Sequence, residues 1–174
     1  MSNIGYTLGD LQRVSGGVVN KFFSLLGRLC ICSIFIFSSI QDFLQWGGQE
    51  DYVLNVLTQY MNSFTDIGYV HQVYQFLMAN ITLFLTLGIL LKFLGGLFLL
   101  FGWQVKLGSC LLLLFLIPVT LIFHDFWNQT GQSKIMQTVM FWKNIGLAGG
   151  LFLLLSQNEG SKQKNAKADK KQAE

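Results

Sequence analysis

The chain has 174 residues, of which 52% are hydrophobic and only 12% charged, with mean hydropathy +0.47. Soluble domains carry about a quarter charged residues, so this chain cannot supply the polar shell of a water-soluble core, and collagen, disulfide-scaffold and disordered classes are excluded too. The net charge of +3 belongs mainly to residues 157–174, where five Lys face Glu159, Asp169 and Glu174, so it is no argument for nucleic acid as a partner.

Residues 1–21 are polar and carry Gly5, Gly9, Gly16 and Gly17. They hold no apolar h-region, and no small-residue cleavage site follows the first apolar run. The first span is therefore expected to act as an uncleaved insertion signal. A helix needs about 20 apolar residues, at about 1.5 Å each, to cross a bilayer. Four stretches meet this, at about 22–44, 76–103, 107–126 and 136–155. The expected fold is all-α, an integral membrane four-helix bundle, with a polar segment 1–21, a four-span membrane domain 22–156 and a Lys-rich cytosolic tail 157–174.

Basic residues near span ends orient a membrane protein. Arg13, Lys21, Lys106 and the tail lysines fall on one side, whereas residues 46–75 contain Glu50, Asp51 and Asp66 but no Lys or Arg. Residues 127–135 have only Lys134. Both termini are thus expected in the cytosol, with 46–75 and 127–135 on the opposite side. An integral membrane location follows, with a bacterial cytoplasmic membrane favoured over a eukaryotic internal one. Within 46–75, Val53, Leu57, Tyr60, Met61 and Phe64 fall on one face of a helix. They predict a short amphipathic helix that lies on the interface or caps the bundle; an ordinary structured loop is the other reading. Trp46, Trp103 and Trp127 stand at span ends, where aromatic anchors belong.

Gly88, Gly95 and Gly102 repeat every seven residues in the second span, and Gly146 and Gly150 form a small-xxx-small pair in the fourth. Both allow close helix approach, within the bundle or, alternatively, between copies in a homo-oligomer. Pro118 is expected to bend the third span.

A charge near the centre of a span costs roughly 2.5–3.5 kcal/mol on insertion scales, so the few present are candidate functional groups. One set is Asp42, His124, Asp125, Lys143 and Asn144. Asp42 or Asp125 could pair with Lys143, and His124 could relay a proton or bond a ligand; a structural ion-pair latch is the alternative. The other set is Arg28, roughly 9 Å into the first span, and Lys92, roughly 16 Å from the opposite end of the second. No Asp or Glu occurs in that half of any span. These two cations could hold a lipid phosphate, a carboxylate or a quinone carbonyl, or Lys92 could snorkel while Arg28 bonds backbone carbonyls and Ser24. Cys30 and Cys32 are about 200° apart on a helix, so a disulfide is not expected, and neither is a metal site.

The stretches LLGRLCICSIFIFSSIQDF, ILLKFLGGLFLLFGW, LFLIPVTLIFHDFW and FWKNIGLAGGLFLLL resemble, in order, the four spans of DoxX-type membrane proteins. The nearest likeness is to the HR-like lesion-inducing branch, and it covers about residues 22–156. Lys92 stands where many other DoxX members have Glu. The resemblance implies a four-helix membrane protein engaged in redox work, as some DoxX-type chains are subunits of a thiosulfate–quinone oxidoreductase. Two functions follow as expectations. One is a membrane subunit of a redox or quinone-linked system, with Arg28 and Lys92 holding a quinone or anionic membrane lipid and a redox partner protein supplying electrons. The other is a non-catalytic scaffold or adaptor that docks a partner through 46–75.

Overall fold

The computed structural model describes residues 8–63 and 68–172, with side chains described for 19–61, 68–69 and 71–156. Expectations that fall on Gly5, Phe64 and Asp66, and on the side chains of Arg13 and the tail lysines, lie outside the described residues.

The described chain is helical: α1 (Leu8–Leu44), α2 (Trp46–Ser63), α3 (Gly68–Ala79), α4 (Ile81–Phe101), α5 (Val105–Phe123), one 3₁₀ turn (Phe126–Asn128) and α6 (Gly131–Gln172). Four segments are long and apolar enough to cross a membrane: Val19–Leu44, Ile81–Phe101, Val105–Asn128 and Gly131–Ser156. At most 33% of any of these windows is buried within the bundle. Phe22, Leu83, Leu114 and Leu153 are among the large apolar side chains left on the outside. An outer surface of this kind is stable against lipid and not against water. By length and composition this is a membrane protein.

The second span starts later than its hydropathy suggests. The apolar run from Phe76 continues without a charge, yet the helix breaks at Asn80, whose Nδ2 donates to the Phe76 carbonyl at 2.9 Å. The break divides the run into α3 and α4. At the other end of α4, Gly102 adopts φ +68° and its N–H bonds the Leu99 carbonyl, a left-handed cap that glycine adopts without a Cβ penalty. Gln104, at φ 57° and ψ 44°, then starts α5. These three residues, 102–104, are the whole α4–α5 connection, here called the turn end. The opposite end, with α2, α3 and the 3₁₀ turn, is called the α2 end.

α1 packs on α4, α4 on α5 and α5 on α6. The core contains Cys32, Phe35, Leu99, Leu112, Leu113, Leu116, Leu151 and Leu154. Glycines set the approach. A Cβ at Gly95 would stand 2.8 Å from Leu112 Cγ and 3.0 Å from the Gly108 carbonyl, and one at Gly96 would stand 2.7 Å from Ile36 Cγ1. The seven-residue glycine repeat therefore acts inside the bundle. The fourth-span pair divides: a Cβ at Gly150 would meet Ile31, whereas one at Gly146 would meet nothing within 4 Å. α5 runs unbroken through Pro118. The amphipathic segment is helical as α2, and it caps the bundle: Glu50 Oε1 accepts from Thr82 Oγ1 on α4 at 3.2 Å, and Tyr52 stacks on Phe123 of α5.

Candidate functional site

In an α-helix the Cα–Cβ bonds tilt toward the N-terminus. α4 starts at the α2 end, so the side chain of Lys92, midway along it, leans that way. Asp42 stands there, two residues from the end of α1, with Ser38 one turn below on the same face. Lys92 Nζ forms an ion pair with Asp42, donates to Ser38 Oγ at 3.1 Å, and lies 4.9 Å from the centroid of the Phe115 ring. The lysine is 2% exposed, so it does not snorkel, and it is not the unpaired cation that counting residues from the turn end implied. A depth counted at Cα misses the reach of a long side chain and the tilt that directs it.

The same tilt sends Arg28 the other way. α1 enters from the turn end, and the Arg28 guanidinium lies on Gly102, where any Cβ would displace it. A cation at the carbonyl end of α4 opposes the helix dipole favourably. Arg28 and Lys92, expected to share a ligand, thus occupy opposite ends of the bundle.

The mixed set also divides. Lys143 is exposed and donates to Met140 Sδ at 3.3 Å, so it pairs with neither Asp42 nor Asp125. Consecutive residues lie about 100° apart on a helix, and Asn144 takes the inward direction. Its Nδ2 donates to Thr120 Oγ1 at 3.0 Å, and Thr120 in turn donates to the Leu116 carbonyl at 2.6 Å. The latch between α5 and α6 is therefore an uncharged hydrogen-bonded pair. His124 Nδ1 donates to Gln137 Oε1 at 2.8 Å, which leaves Nε2 as an acceptor in the neutral ring. Asp125 is buried and turns into a separate polar recess.

Two of these groups meet at one cavity. A pocket of about 540 Å³ lies between α4 and α5 beneath α2, and Asp42 and His124 both line it. Its other walls are mainly apolar, including Ile81, Phe84, Gly88, Phe115 and Pro118. Val53 and Leu57 of α2 line it, and Leu57 is buried there. Sequence reasoning missed this pocket; Gly88 opposite Phe115 and the proline were its local signs, read instead as packing and a bend. Among the described residues, no three His, Cys, Asp or Glu side chains gather as metal ligands.

A model of the HR-like lesion-inducing family matches residues 20–156, which cover the four spans except Val19 and include every residue of this pocket. The chain belongs to that family. No curated protein and no solved structure matches it. Within this HR-like lesion-inducing chain the matched region leaves out only residues 1–19 and 157–174, so the Lys92–Asp42 pair, the Asn144–Thr120 latch and the pocket are all parts of the family domain.

Proposed function

We propose that the chain is a membrane subunit that holds an uncharged amphiphile of the isoprenoid-quinone class in the pocket beneath α2. The observation that carries this reading is the pocket itself: about 540 Å³, mainly apolar, with the Asp42 carboxylate, the His124 imidazole and the Tyr52 phenol as its ionisable groups. Ligand sites generally combine apolar walls with a few placed polar groups at volumes of this order. Asp42 already compensates the charge of Lys92, so the wall attracts no anion, and a neutral head group fits it better than a lipid phosphate. His124 Nε2, with Nδ1 engaged by Gln137, is placed to exchange a proton with a quinone or quinol oxygen. Electrons would pass between the quinone and a redox partner protein. With both termini cytosolic, the pocket lies toward the non-cytosolic face. The resemblance to DoxX-type chains points the same way.

Mass spectrometry of small molecules extracted from the protein purified in mild detergent tests this. Gly88 lines the pocket, and a Cβ there would stand 3.4 Å from Phe115 Cε2, so Gly88→Leu fills the pocket. The expected outcome is a retained quinone in the wild type and its loss in Gly88→Leu at unchanged helicity. Equal retention in both, or none in the wild type, overturns the proposal.

A further inference from the structure

Behind the wall formed by Tyr52 and Phe123 lies a second recess of about 510 Å³, bounded also by Tyr60, Asp125, Gln129 and Gln137. It differs from the first in kind, because amides, hydroxyls and one carboxylate face it. Asp125 is 7% exposed. Its Oδ1 accepts a hydrogen bond from Gln129 Nε2 at 3.1 Å. Among the described residues no ion pair to Asp125 is seen; the Lys92 ammonium is paired with Asp42 instead. A buried carboxylate held by neutral groups alone is costly, and a counter-charge arriving from outside offsets that cost.

A second observation concerns Tyr60. Its hydroxyl is buried and lies beside the Asp125 carboxylate. Burial first, and then the nearby Asp125, push its pKa well above the usual phenol value, so the group stays protonated at neutral pH. Two adjacent groups, a buried carboxylate and a buried hydroxyl, thus face one recess. Three aromatic side chains, Tyr52, Tyr60 and Phe123, share the walls with the amides; Tyr52 stacks on Phe123 at 6.1 Å, and Tyr60 stacks on Tyr74, outside the recess lining, at 6.4 Å.

The recess is far too large for one bare metal ion, and one carboxylate is a poor ligand set for a divalent cation. A carboxylate among aromatic faces instead matches an organic ammonium, whose diffuse charge is attracted by ring faces as well as by the anion. We propose that this recess binds an organic ammonium ion, seated against Asp125 and surrounded by Tyr52, Tyr60 and Phe123. This inference is independent of the quinone reading, because it concerns a different pocket. The ammonium can belong to a soluble amine or to a lipid head group whose chains lie along the neighbouring apolar surface.

Titration of the full chain in detergent with choline, followed by tyrosine and tryptophan fluorescence or calorimetry, tests the soluble source. Its neutral isostere 3,3-dimethyl-1-butanol is the control. In parallel, the protein is reconstituted in nanodiscs of phosphatidylcholine with phosphatidylglycerol, and the lipid retained after detergent exchange is quantified. Choline binding at least about tenfold tighter than its isostere, and weakened about tenfold or more in Asp125→Asn, supports a soluble ligand. Selective retention of phosphatidylcholine in the wild type and not in Asp125→Asn supports the lipid head group. Equal binding of choline and its isostere, together with unselective lipid retention, overturns the proposal; the isostere comparison needs no folded variant.

Discussion

The two ends of the bundle are held by different chemistry. At the turn end, Gly95, Gly96 and Gly108 bring backbones into contact, and Leu99, Leu112 and Leu151 fill what remains. At the α2 end the helices stand apart around two pockets and are tied by polar pairs: Lys92 with Asp42, His124 with Gln137, Thr82 with Glu50. Between lipid-facing helices the hydrophobic effect offers little drive, and close packing or polar contacts must replace it. One end uses the first device and the other uses the second. Both pockets described above lie at the end that polar ties hold together.

The largest expected effect breaks the α2 end. Lys92→Met leaves Asp42 without its counter-charge and should destabilise by about 4 kcal/mol, read as a lower unfolding midpoint in detergent. Lys92→Met with Asp42→Leu should recover most of that loss; a double variant as weak as the single one would show that the pair is not the tie. The turn end is tested next. Gly95→Leu drives a side chain into Leu112 and the Gly108 carbonyl, and should cost about 3 kcal/mol, seen as loss of folded protein after detergent extraction. A wild-type yield and midpoint would refute the close-approach account.

A smaller effect is expected from the latch. Asn144→Ala removes the hydrogen bond to Thr120 and should lower stability by about 1 kcal/mol, with an equal change for Thr120→Val and no further loss in the double variant. Gly146→Ala is the smallest. Nothing lies within 4 Å of its added Cβ, so stability should rise by a few tenths to about 1 kcal/mol through helix propensity alone. A clear loss there would mean that this face meets a second copy of the chain.

The spans were legible because apolar runs of twenty residues have one solution in a bilayer. The start of the second was not, because hydropathy does not register the break at Asn80, whose side chain bonds back to the Phe76 carbonyl of α3. The helix of 46–63 was legible from the spacing of Val53, Leu57 and Tyr60. The direction of that face was not, since an apolar face reads the same against lipid, a partner or the bundle. Asp42, Lys92, His124, Asp125 and Asn144 were all singled out by polarity, yet their pairing escaped. Lys92 was separated from Asp42 by Cα depth, and Lys143 drew the attention that belonged to Asn144. Sequence spacing carries no information on which helices are neighbours, and that choice decides every pair in the site.

The three-residue connection between α4 and α5 bears on how the chain assembles. Closing so short a loop costs little chain entropy, and the glycine contacts beside it lie close in sequence, so these helices meet sooner than any pair joined over longer distance. On this ground the α4–α5 hairpin is expected to pack early, with α1 and α6 docking onto it. The left-handed Gln104 (φ 57°) is its weak joint, since a residue with a Cβ is strained there. Gln104→Gly therefore acts on the order of events, quickening hairpin closure, while leaving both pockets at the far end untouched.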